Sequence, residues 1–162
     1  MQGYLLAFIL FMPLMGGLMA YVIPTKSGII GSSFLSITTI LGVYYFSFFH
    51  GVIWIFQFEW LPGYLLGFSV DRCSAVLILL VSLISFLVHI FSIFYLSGDN
   101  HENRYYLKLG FFTFSMLGLL MSDHLILIFI FWELVGFSSY ILIIFWFKNF
   151  KNAKSGRIAF MT

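Results

Sequence analysis

Apolar residues run along this chain in long blocks separated by short polar clusters. The blocks reach the roughly 17 to 25 residues that a helix needs to cross about 30 Å of hydrocarbon. They place five spans, at 4–23, 29–49, 73–96, 105–121 and 125–147. The first carries Pro13 and the small pair Gly16-Gly17, and a proline there is tolerable where neighbouring helices satisfy the carbonyl it frees. Pro24-Thr25-Lys26-Ser27-Gly28 has turn composition, and Ser122-Asp123-His124 reads as a tight turn. The stretch 51–71, with Trp54, Trp60, Pro62, Gly63 and Gly67, is too broken for a helix and reads as an extended loop at headgroup level. A basic segment follows at 148–157, and helical character returns over 157–162. The expectation is an all-α polytopic membrane protein, one membrane domain over 1–162, with about five transmembrane helices plus the start of a sixth.

Composition reinforces this pattern. Apolar residues make up 62% of the chain and charged residues 9%, whereas a soluble domain carries roughly a quarter charged residues. The single cysteine, Cys73, excludes an intramolecular disulfide and an iron–sulfur framework. Met1-Gln2-Gly3-Tyr4 shows neither the basic segment of a signal peptide nor the Arg- and Ser-rich amphipathic character of a transit peptide. The first helix is therefore expected to stay in the protein. The 22 phenylalanines suit an AT-rich genome such as a mitochondrial one. That fits a chain made inside the organelle that uses it, with a bacterial origin as the alternative.

Charge placement orients the spans. Alternation puts Lys26, Arg104, Lys108, Lys148, Lys151, Lys154 and Arg157 on one side and Arg72 on the other. Lysine and arginine mark the cytoplasmic or matrix side, so the N-terminus should face outward, toward the intermembrane space. Lys148, Lys151, Lys154 and Arg157 are topology anchors in this reading, and they could also bind an anionic lipid such as cardiolipin. No nucleic-acid partner is expected.

The polar residues inside spans carry the chemistry. Glu133 is the ninth residue of the fifth span, about 13 Å along its axis. A charge at that depth costs several kcal/mol, so the carboxyl must face protein or water and must be paired or protonated. A carboxylate held between desolvation and a movable cation changes protonation as that cation moves, which is what proton pumping requires. The plainer role is a neutral glutamate that packs helices together. In the third span, Ser82, Ser85, His89 and Ser92 form one stripe. His89 is a possible proton relay, or a structural histidine held by a serine or a carbonyl. His50, His101 and His124 lie at span ends, with no pair spaced for a membrane haem. Asp71-Arg72 and Asp99-His101-Glu102 read as solvated boundary charges, and Gly110 and Gly118 as points of close helix contact. Phosphate loops, catalytic triads and metal-ligand spacings are absent from the sequence. The available side chains could move protons but could not carry electrons.

One run is long enough to identify. Trp132-Glu133-Leu134-Val135-Gly136-Phe137-Ser138-Ser139-Tyr140-Ile141-Leu142-Ile143 resembles the Trp-Glu-x-x-Gly-x-x-Ser-Tyr-Leu-Leu-Ile segment of the large antiporter-like subunits of respiratory complex I, most closely the distal one. Supporting likeness lies in Phe68-Ser69-Val70-Asp71-Arg72-Cys73-Ser74, in Phe86-Leu87-Val88-His89-Ile90-Phe91-Ser92, in Ser122-Asp123-His124-Leu125, and in Ala153-Lys154 with Ala159-Phe160. The resemblance spans about Gly67 to Thr162. It implies the N-terminal part of an antiporter-like helical bundle built from two inverted five-helix repeats. It also implies that Glu133 pairs with a lysine on a seventh helix for proton translocation driven by distant quinone reduction. That lysine and the second repeat lie outside these residues, so the expected partners are a second chain carrying the rest of the subunit and the other membrane-arm subunits of complex I. No cofactor is expected in this chain, while the complex as a whole would use NADH, FMN, iron–sulfur clusters and ubiquinone. The alternatives are a fragment of a multi-subunit sodium/proton antiporter and a structural cap of the membrane arm that pumps nothing.

Overall fold

The computed structural model describes residues 2–47, 53–61, 64–99 and 101–145. The basic segment 148–157, with Lys148, Lys151, Lys154 and Arg157, and the expected sixth helix over 157–162 lie outside the described residues.

Five helices follow the five apolar blocks: α1 (Gln2–Val22), α2 (Ser27–Ser47), α3 (Arg72–Tyr95), α4 (Glu102–Met121) and α5 (Leu125–Ile143). α1 continues through Pro13. α2 starts earlier than the apolar block predicts, because Pro24 opens a 3-10 turn, Pro24–Lys26, that runs straight into it. Proline suits such a start, since its missing N–H would be unpaired there anyway. α3 begins where Asp71 accepts a hydrogen bond from the Ser74 backbone N–H at 2.7 Å, a side-chain N-cap. α4 starts a turn before its block, taking in Glu102, Asn103 and Arg104. At about 1.5 Å per residue its 20 residues still measure about 30 Å. Four of the helices are long and apolar enough to cross a membrane; the charged first turns of α4 keep it out of that set.

The segment between α2 and α3, expected as an extended loop, is instead paired. It contains an antiparallel hairpin of β1 (Ile53–Leu61) and β2 (Tyr64–Val70), with Ile53 opposite Val70 and Leu61 opposite Tyr64. Alternation explains it: Gln57 and Glu59, two residues apart, are both exposed, as period-two chain requires. β2 gains a further partner in the α4–α5 turn. Ser122 bridges to Phe68, and Asp123 bonds Gly67 twice, accepting from its N–H at 2.9 Å and donating to its carbonyl at 3.3 Å.

α4 lies at the middle of the bundle, with α1, α2, α3 and α5 around it. Its approach to α1 depends on glycine. A Cβ on Gly110 would stand 2.5 Å from the Pro13 carbonyl oxygen and 3.1 Å from the Cα of Gly17, so the two backbones can touch only where neither helix carries a side chain. Leu6, Ile9 and Leu10 of α1 pack with Tyr45, Val70, Ala75, Ile78, Leu117 and Met121 to form the apolar core at the hairpin end. Elsewhere the usual arrangement is inverted. Phe8, Ile40, Leu87, Phe94 and Phe129 face outward, while Ser82, His89, Thr113 and Ser115 are buried. Lipid is as apolar as a leucine side chain, so polar groups, not apolar ones, seek the interior.

Candidate functional site

Two polar systems occupy the depth of the spans, and they are built differently. The first follows the predicted stripe of α3. Ser82, Ser85, His89 and Ser92 are all buried and meet α2 and α4. His89 is 1% exposed, and its Nδ1 lies 2.8 Å from the Ser85 carbonyl oxygen. A carbonyl only accepts, so Nδ1 carries a proton in this contact. The ring packs against Tyr106, centroid to centroid 5.7 Å, and the Tyr106 hydroxyl donates to the His89 carbonyl at 3.4 Å. Space for this pair comes from α2, where a Cβ on Gly31 would meet Tyr106 at 3.1 Å and His89 Cδ2 at 3.3 Å.

Other links tie the seam together. Thr113 donates to the Leu109 carbonyl at 3.0 Å, and its Oγ1 lies 3.1 Å from Ser85 Oγ, whose hydroxyl can donate back to it. Thr39 reaches the Ser82 carbonyl at 3.2 Å, and the Tyr105 hydroxyl lies 3.3 Å from Ser92 Oγ, whose own proton goes to the Val88 carbonyl. At the end away from the hairpin, Ser27 donates to Glu102 Oε1 at 3.1 Å. Glu102 therefore corrects its reading as a solvated boundary charge, since it receives a hydroxyl that is itself 1% exposed. Asp99 and His101 do remain a surface pair, at 3.4 Å. Asp71 is exposed too, and the Ser74 N–H holds its carboxyl below the usual carboxylate range.

The second system is α5. It opens at His124, whose Nδ1 accepts from the Ile126 N–H at 3.3 Å, and it packs chiefly on α4 through Leu127, Phe131 and Ser138. Glu133 lies two residues beyond Phe131, about 200° further round the helix, and it is exposed on the face turned away from α4. Trp132, Phe129 and Ile130 flank it, likewise exposed. Among the described residues no hydrogen bond or ion pair reaches Glu133. The structure thus separates the two sequence candidates: His89 is enclosed between α2, α3 and α4, while Glu133 points out of the bundle.

Lys108 was legible in the sequence only as an orienting charge, and it does more. Its Nζ donates to the Ile141 carbonyl at 3.2 Å and sits 5.0 Å from the Phe145 ring centroid. That carbonyl belongs to the last turn of α5, where carbonyls lack helical partners and a cation meets the negative end of the helix dipole. Ile141 lies eight residues past Glu133, about 12 Å along the axis, so Lys108 caps α5 and does not pair with its glutamate. No three His, Cys, Asp or Glu side chains among the described residues come together to hold a metal.

The comparisons with known proteins follow these elements. Residues 64–106 match the family model described as NADH-ubiquinone oxidoreductase (complex I), chain 5 N-terminus. Residues 122–162 match the one described as NADH:quinone oxidoreductase/Mrp antiporter, TM. The chain belongs to the antiporter-like subunit family. Among curated relatives, NADH-ubiquinone oxidoreductase chain 5 of Neurospora crassa is 34% identical over 166 residues, covering 95% of this chain and 23% of the relative. NADH-quinone oxidoreductase subunit L of Campylobacter jejuni is 44% identical over 92 residues, covering 57% of this chain and 15% of the relative. F(420)H(2) dehydrogenase subunit L of Methanosarcina mazei is 38% identical over 106 residues, covering 65% and 16%. The chain thus spans less than a quarter of the length of these relatives. It is a multi-pass membrane protein of this family, and the second matched segment holds α5 with Glu133.

Proposed function

We propose that this chain is a proton-translocating component of the membrane arm of an NADH:ubiquinone oxidoreductase, with Glu133 as its working carboxylate. One observation carries the reading. An ionisable side chain stands mid-way along an apolar helix, on a face that these residues leave open and unpaired. At membrane depth such a group needs a partner. The partner is a cation from outside the described residues, a lysine in the family resemblance, and its approach or retreat moves the proton on or off.

The relatives support this division of labour. Their names carry different electron donors, NADH and F(420)H(2), while the matched segment is shared. The chain then supplies proton movement, and NADH, FMN, iron–sulfur and ubiquinone chemistry belongs to the rest of the complex. Neighbouring membrane-arm subunits are its partners. The mitochondrial inner membrane is favoured over a bacterial one because the fungal match runs along 95% of the chain. Counting α4 brings the crossings to five, and Lys26 and Arg104 then belong at the inner surface with the hairpin outside. A relay through His89 would run along the α3–α4 seam toward Tyr106 and Glu102, away from Glu133. Cardiolipin at Lys148, Lys151, Lys154 and Arg157 belongs to the same proposal.

The test is Glu133→Gln in the assembled complex, reading protons moved per NADH oxidised. Loss of translocation with normal assembly is expected. Unchanged translocation would make the chain a structural cap instead. The second matched model also names the Mrp antiporter, so sodium-dependent proton exchange without quinone reduction would favour that alternative.

A further inference from the structure

We infer that an aromatic lock at the hairpin end of the bundle, Phe131 seated against Gly118 beneath Phe68, sets the rotation and depth of α5 and so aims Glu133. The inference rests on the reading of Glu133 as the proton-carrying group and adds the residues that position it.

The need for a lock follows from the composition of α5. Leu125-Ile126-Leu127-Ile128-Phe129-Ile130-Phe131-Trp132 is apolar on every side. Against lipid one apolar face is as good as another, so the hydrophobic effect cannot choose the rotation of this helix. Shape must do so. α4 offers a notch at Gly118, where a Cβ would stand 2.6 Å from Phe131 Cζ and closer still to Cε1. Real atoms do not approach that closely, so the ring occupies the place a side chain at 118 would take. Phe131 is 7% exposed there. Phe68 of β2 meets its ring edge-on at 5.7 Å, and Phe114 of α4 meets it at 5.9 Å. Edge-to-face pairs of this kind have a preferred geometry that an aliphatic contact lacks.

The cover of the lock is latched as well. Phe68 follows Gly67, whose N–H and carbonyl are both held by Asp123, and Ser122 extends the hairpin as a further strand segment. Strand β2, the α4–α5 turn and the Phe131 ring therefore move as one unit. Six residues of helix, about 9 Å, separate Leu125, where α5 leaves the Asp123 latch, from the Phe131 key. With both engaged, Glu133 is fixed in height and turned about 200° from the notch, toward the neighbour that must pair with it. A one-residue rotation would swing its carboxyl by about 100°. Gly118, Phe131, Phe68 and Asp123 are thus positioning residues for the glutamate.

The experiment reads the carboxyl chemically and not through pumping. The assembled complex in its native membranes is treated with dicyclohexylcarbodiimide, and the adduct at Glu133 is quantified by mass spectrometry, with Glu133→Gln as the blank. Gly118→Ala, which fills the notch, is expected to change the labelling rate about threefold or more because the carboxyl leaves its normal surroundings. Gly118→Ala combined with Phe131→Leu, which restores room, should bring the rate back toward wild type. Asp123→Asn, which removes the charge on the latch, should shift it less and in the same direction. If the Gly118→Ala complex does not assemble, Phe131→Leu alone carries the test and should also change the rate. Wild-type labelling in assembled Gly118→Ala or Phe131→Leu overturns the inference, as does a double variant that labels no more normally than Gly118→Ala. Normal pumping by Glu133→Gln would instead remove the proton-carrier reading and leave the labelling result standing.

Discussion

The α2–α4 seam and the outer face of α5 both hold polar side chains at membrane depth, and the bundle treats them in opposite ways. In the seam each group ends on a partner within a few residues or on an adjacent helix: Ser92 on the Val88 carbonyl, His89 on that of Ser85, Thr113 on Ser85. On α5 the glutamate is exposed, and among the described residues nothing pairs with it. Hydroxyls that bond to their own helix satisfy themselves cheaply and can face any neighbour. An ionisable group without a partner costs about 2.5 to 3.5 kcal/mol even on the insertion scales, so it persists where something outside completes it. Enclosure suits the seam to architecture, and exposure suits Glu133 to the proposed role of a carboxylate completed from outside the described residues.

Five substitutions break or sharpen that contrast. The largest effect is expected from Glu133→Gln, which should abolish proton movement while the complex still assembles. Next is Gly110→Leu in the α1–α4 contact. Overpacking should destabilise the bundle by about 1 to 3 kcal/mol or more, read as a lower denaturation midpoint or loss of assembled complex. An assembled, fully stable Gly110→Leu protein would contradict the close approach of those backbones.

His89→Gln tests the enclosed side. Lower thermal stability with an unchanged proton-to-electron ratio is expected, because the ring fills space between Gly31 and Tyr106; a reduced ratio would make His89 a relay and dissolve the distinction. For Lys108→Met, the loss of the cap on α5 should cost about 0.5 to 1.5 kcal/mol. Faster amide exchange near Ile141 would show it, and unchanged exchange would remove the cap. The smallest change belongs to Asp71→Asn, which keeps a side-chain acceptor but not its charge. The folded-state carboxyl sits below its ordinary range, so its contribution is present above that range and lost as pH falls through it. Wild type and variant should therefore differ slightly near neutrality and converge in acid, as followed by thermal melting at each pH.

Much of this was legible along the chain. The helices follow the apolar blocks because hydrocarbon thickness, more than packing, sets their length. Their ends followed local chemistry that is less visible: Pro24 drew α2 forward, and the first turn of α4 took in charges that looked like loop. The hairpin was obscured by its tryptophans, which suggest an interface whatever the backbone does. The alternation around Gln57 and Glu59 was the usable signal. The partners of Glu102 and Lys108 escaped the sequence for one reason. A charge near a span end is solvated or enclosed according to which helix comes beside it, and Ser27 and Ile141 are 75 and 33 residues away.

By itself the sequence determined that the chain crosses a membrane repeatedly, that one carboxylate sits at depth, and to which family the surrounding motif belongs. Those properties depend on residue type and spacing along a single helix. The tertiary structure decided which way that carboxylate points. The first turns of α5, residues 125–132, are apolar all round, so no pattern of polar and apolar positions there reveals its rotation. It becomes fixed only when Phe131 finds the gap left by a glycine on another helix.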